Sequence, residues 1–124
     1  MDKKKILIVE DESTLQRALS EFLTLEGFEV MNALDGESGV ELAKKNQPDI
    51  ILLDIILPKK DGYEVIDDLR GDEKTKNIPI ILLTNLETSE NVNRAFEKGI
   101  TTYLVKSDYK LEEVVNKIKE TLKI

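Results

Sequence analysis

Short apolar runs alternate with helical patterns five times along the chain, and this alternation constrains the fold more than any other feature of the sequence. The runs are Lys5–Val9, Phe28–Ala33, Ile50–Leu53, Pro79–Leu83 and Thr102–Val105. Ile50–Leu53 and Ile80–Leu83 are apolar throughout, the mark of a strand covered on both faces. Phe28–Ala33 alternates more, as an edge strand does.

The intervening stretches carry helix signals. Leu15, Ala18, Leu19, Phe22 and Leu23 follow helical spacing, with Gly27 as a stop. Asp35 is a candidate N-cap for a helix that carries Val40 and Ala43 and ends before Pro48. Asp61 caps a third stripe of Gly62, Val65, Ile66 and Leu69. A fourth helix holds Val92, Ala95 and Phe96, opened by Thr88 or Ser89 and closed at Gly99. A fifth holds Leu111, Val114, Val115, Ile118 and Leu122. The order is (βα)₅ without linker or repeat, which predicts one α/β domain over residues 1–124, a parallel sheet with helices on both faces.

Composition narrows the chemistry. There is no His and no Cys, so no Ser-His-Asp or Cys-His nucleophile, no thiolate zinc site and no disulfide can form within the chain. Any metal must be held by oxygen, which favours Mg²⁺, Mn²⁺ or Ca²⁺. The 18 Lys and Arg against 25 Asp and Glu give a net charge of −7, which disfavours nucleic acid and anionic membranes. No segment has the length or apolar character of a signal peptide or membrane span. The expectation is a soluble cytoplasmic protein.

Ligands of open α/β sheets sit beyond the carboxyl ends of the strands. The first run ends in Glu10-Asp11, the third in Asp54, the fourth in Thr84 and the fifth in Lys106. Each alone is an ordinary cap, turn or solvated residue. Together, with the first and third strands central, they place three carboxylates, a hydroxyl and an ammonium on one rim. A hard divalent cation relieves the repulsion among the acids. That set suits phosphoryl transfer, with Asp54 as the nucleophile.

At these residues the sequence resembles the receiver domain of bacterial two-component response regulators. Ile6 to Glu12 is similar to the family's first strand and acidic pair. Asp54-Ile55-Ile56-Leu57-Pro58-Lys59-Lys60-Asp61-Gly62 resembles its phosphoacceptor loop, and Ile81–Thr84 and Tyr103–Lys106 resemble its two switch strands. The resemblance implies a flavodoxin-like, doubly wound five-stranded sheet in the order 2-1-3-4-5. It implies phosphorylation of Asp54 by the phosphohistidine of a histidine kinase or histidine phosphotransfer protein. Mg²⁺, or Mn²⁺ in its place, would be held by Asp11, Asp54, Glu10 through water, and the Ile56 backbone carbonyl. Lys106 and the amide after Thr84, that of Asn85, would bind the phosphoryl oxygens. Thr84 and Tyr103 would then switch the surface of the fourth helix, fifth strand and fifth helix. Thr14, Leu15, Ala18 and Ser107 are the implied kinase contacts. The chain would be a phosphoacceptor rather than a multiple-turnover enzyme, monomeric or weakly dimeric.

Three departures stand out. Ser107 replaces the usual Pro after Lys106, which leaves the isomer of that peptide bond open. Asn85 replaces a small residue. Ile56 and Leu86 flank the site with apolar groups, which predicts slow hydrolysis of the phosphorylated form because neither orients a water. Two rival readings are a receiver-like scaffold that works without phosphorylation and an aspartate-nucleophile phosphatase. The phosphatase lacks a candidate acid, because Ile56 stands two residues after the nucleophile. The fifth helix reaches the end of the sequence at Ile124, so no separate DNA-binding unit is expected within it.

Overall fold

The computed structural model describes residues 3–84, 89–100, 102–106 and 110–124. The five strands are β1 (Lys5–Val9), β2 (Glu29–Ala33), β3 (Ile50–Asp54), β4 (Ile80–Thr84) and β5 (Thr102–Val105). The helices are α1 (Ser13–Leu25), α2 (Gly36–Asn46), α3 (Gly62–Arg70), α4 (Ser89–Glu97) and α5 (Leu111–Leu122). All four strand pairings are parallel, in the order β2-β1-β3-β4-β5. β1 and β3 are thus central, and the alternating second run is an edge strand, as its pattern predicts.

Alternate residues of the central strands feed two separate cores. Leu7, Val9, Ile51, Leu53, Ile80 and Leu82 pack with α2, α3 and Ala95 of α4 on one face. Ile6, Ile8, Ile50, Leu52, Ile81 and Leu83 pack with Leu19 and Leu23 of α1 and with Val114, Val115 and Ile118 of α5 on the other. Both faces of β1 and β3 leave water, and each fully buried Leu or Ile contributes roughly 1.5–3 kcal/mol. Phe28 is buried but precedes the strand that its run suggested, and Pro79 likewise stands just outside β4.

The helix starts carry the predicted caps. The Asp35 carboxylate accepts the Ser38 N–H at 2.7 Å. Asp61 and Glu64 form a reciprocal capping box at α3. Gly27, at φ +98°, takes a left-handed conformation just past α1. Ser89 opens α4, and Thr88 lies outside the described residues. Ala18, on the helical spacing of α1 and an implied kinase contact, is exposed. Gln16 is buried on that helix instead.

Candidate functional site

Sheet register builds the site. Val9 of β1 stands opposite Leu53 of β3, so Glu10 and Asp54 follow at the same level of adjacent strands. Thr84 stands opposite Val105, which brings Lys106 to the same rim one step later. The Glu10 N–H donates to Ala33 O at 3.1 Å, which continues the β1–β2 ladder past the last paired residues. Gln16 reinforces this join. Its side-chain amide donates to Glu10 O at 3.2 Å and to Ala33 O at 2.8 Å.

Glu10, Asp11 and Asp54 offer carboxylate oxygens that all lie within 4.8 Å of one another. Glu10 is fully buried and Asp54 nearly so, whereas Asp11 is exposed. The Lys106 ammonium lies between the two buried acids, 2.8 Å from Glu10 Oε1 and 3.0 Å from Asp54 Oδ2. Glu12 Oε2 is 3.9 Å from the same nitrogen. The remaining oxygens are held by backbone: the Glu12 N–H donates to Glu10 Oε2 at 3.0 Å, and the Ile56 N–H donates to Asp54 Oδ1 at 3.3 Å.

Burial pushes the Glu10 carboxyl above its usual 4.5, and the Lys106 ammonium and Glu12 N–H only partly oppose this. Burial also works against the Lys106 charge, but Glu10 and Asp54 outweigh it and raise the ammonium above its usual 10.5. The rim therefore keeps Lys106 charged.

The donor set fits a hard divalent cation. Glu10 Oε1 is buried and meets the Lys106 ammonium at 2.8 Å. Three carboxylates that each bring an oxygen within 4.8 Å of the others match the all-oxygen coordination of Mg²⁺ or Mn²⁺. Glu10, Asp11 and Asp54 are the residues that would hold it.

The remaining predicted residues fall as follows. Ile56 lies two residues past the end of β3 and is 60% exposed beside the rim. Thr84 ends β4. Tyr103 lies on β5 with its ring at the surface, 42% exposed. Thr14 and Ala18 are exposed on α1, while Leu15 packs partly against the core. Asn85, Leu86 and Ser107, and with it the Lys106–Ser107 bond, lie outside the described residues. Gln16 was missed from sequence because a polar residue beside an apolar stripe has no signature of burial.

No helix among the described residues is long and apolar enough to cross a membrane. The response regulator receiver domain family matches residues 6–119. The DNA-binding dual master transcriptional regulator RpaA of Synechocystis is 37% identical over 119 residues, covering 96% of this chain and 49% of RpaA. The chain thus spans about half the length of that relative. A putative response regulator from Chloroflexus aurantiacus superposes with a TM-score of 0.90 at 32% identity, over 99% of this chain and 100% of that one. The receiver domain of the sensor histidine kinase PA1611 from Pseudomonas aeruginosa, which has a magnesium ion coordinated in its active-site cleft, superposes at 0.89 with 28% identity, over 99% and 100% of the chains. Five parallel strands in this order, an acidic rim closed by a lysine and a family match over nearly the whole length agree: the chain belongs to the response regulator receiver domain family of two-component systems.

Proposed function

We propose that Asp54 accepts a phosphoryl group from a phosphohistidine on a histidine kinase or histidine phosphotransfer protein. The observation that carries this reading is the placement of Asp54: a nearly buried carboxylate at a strand end, 3.0 Å from an ammonium and grouped with two further acids. An Asp54 oxygen attacks phosphorus, the phosphorus–nitrogen bond of the donor breaks, and the released imidazole nitrogen takes a proton. The chain has no histidine, so the donor histidine lies outside it.

Bound Mg²⁺ supplies charge neutralisation for the incoming phosphoryl oxygens, and Glu10, Asp11, Asp54 and the Ile56 carbonyl are its proposed holders. Lys106 binds one phosphoryl oxygen, and the Ile56 N–H keeps the Asp54 carboxylate oriented for attack. The chain is a phosphoacceptor, not a multiple-turnover enzyme. The switch runs through Thr84 and Tyr103 to the α4–β5–α5 surface, where a charge event at the rim biases a two-state element. Net charge −7 argues that this domain leaves any nucleic acid to another unit. The absence of cysteine fits a reducing cytoplasm.

The test is incubation with Mg²⁺ and a small-molecule phosphoryl donor, read by intact mass. One phosphoryl increment is expected, absent in Asp54→Ala and absent when Mg²⁺ is chelated. Sustained release of phosphate over many turnovers points to a phosphatase. No increment, even with a cognate kinase, points to a scaffold.

A further inference from the structure

The loop from Ile55 to Asp61 carries the Ile56 peptide, and its shape is dictated from outside the site. Its far end is fixed by α3. The Gly62 N–H donates to Ile55 O at 2.6 Å, and a Cβ on Gly62 would stand 2.7 Å from Asp54 O and 2.6 Å from Ile55 Cα. The Asp61–Glu64 capping box locks the next residue in line. Inside the loop, Lys59 adopts φ +69°, a left-handed conformation uncommon for a side-chain-bearing residue.

The outer side of the loop rests on the start of α2. The Gly36 N–H donates to Pro58 O at 3.2 Å. A Cβ on Gly36 would overlap the Lys60 carbonyl oxygen and stand 2.8 Å from both Lys60 C and Lys60 Cβ. α2 has little room to retreat. Asp35 caps it, and Gly39 packs so closely on β1 that a Cβ there would meet both Val9 methyls at 2.9 Å. A methyl at Gly36 must therefore displace the loop. Because the Asp61 end is pinned, the shift is taken up between Ile56 and Lys60.

We propose that Gly36 is a positioning residue for the candidate metal and phosphoacceptor site: its missing side chain lets α2 hold the loop that aims the Ile56 peptide at Asp54. The inference rests on the reading of this rim as a Mg²⁺ site. Gly36 meets the loop at the Pro58 carbonyl and at Lys60, so its effect on the site passes through the Pro58–Lys60 segment.

The experiment is Mg²⁺ titration by calorimetry on the wild-type chain and on Gly36→Ala, Ile118→Val and Lys59→Val, well below each Tm. Ile118→Val trims the buried face of α5, away from the loop and from α2, so it should lower Tm and keep wild-type affinity. Gly36→Ala should bind about tenfold more weakly, a loss usual when a group that orients a metal ligand is disturbed. Lys59→Val puts a β-branched residue at a left-handed, exposed position inside the loop; it should lower Tm and also weaken binding, and it stands in if Gly36→Ala does not fold. Wild-type affinity in a folded Gly36→Ala or in Lys59→Val, or an equal loss in Ile118→Val, overturns the proposal. A wild-type chain that binds no Mg²⁺ overturns the metal reading itself, and this inference with it.

Discussion

The ammonium of Lys106 stands 2.8 Å from Glu10 Oε1, so the one fully buried acid of the rim is balanced by a cation from the last strand. Lys106→Met strands that carboxylate. It should cost about 3 kcal/mol, the low end for breaking a buried pair, since Asp11 leaves the rim open to water. Thermal melts should show a Tm lowered by about 10 °C. Added Mg²⁺ should raise the variant's Tm more than that of the wild type, because a cation then replaces the lost one. An equal shift in both proteins contradicts this account.

Gln16 joins the ends of β1 and β2 beneath the rim. Gln16→Leu leaves the Glu10 and Ala33 carbonyls without that donor, which should cost about 2 kcal/mol in urea unfolding. Gln16→Glu should be worse, since it brings a third buried charge beside Glu10.

Ile56 offers the site no group that can orient water. Ile56→Asn should speed hydrolysis of phosphorylated Asp54 by about tenfold, equivalent to about 1.4 kcal/mol in the barrier. The decay of the phosphoryl mass increment measures it. An unchanged lifetime would mean that access at this flank does not limit the reaction.

Asp35 predicts a pH dependence. The Ser38 N–H foremost holds its carboxyl below the usual 3.8, against a smaller opposing effect of burial. A lowered folded-state value contributes stability above 3.8 and loses it as pH falls through the folded value. Asp35→Asn keeps a capping oxygen but does not titrate. The gap between the Tm values of the two proteins should therefore be constant from neutral pH down to about 4 and should close below it.

Most of the fold is legible in the sequence because the determining physics is local. Apolar runs too short for helices, punctuated by Asp35 and Asp61 caps and by Gly27, define the elements and their order. The convergence of Glu10, Asp11, Asp54 and Lys106 follows from a single topological rule about strand ends. What resists reading depends on contacts between distant segments. Gln16 is buried while Ala18, on the helical spacing, is exposed, because the face of α1 is chosen by its neighbours and not by hydrophobic spacing alone. The tight seat of Gly36 on Lys60 exists only once α2 and the loop after β3 are side by side.

β5 is the shortest strand, a sheet edge with one buried side chain among its four residues. It also delivers Lys106. Amide hydrogen exchange should find this margin among the first parts of the sheet to open, and each such opening withdraws a positive charge while the acids stay fixed on the central strands. Such an opening would take the rim from partly neutralised to strongly negative while the rest of the sheet stays closed.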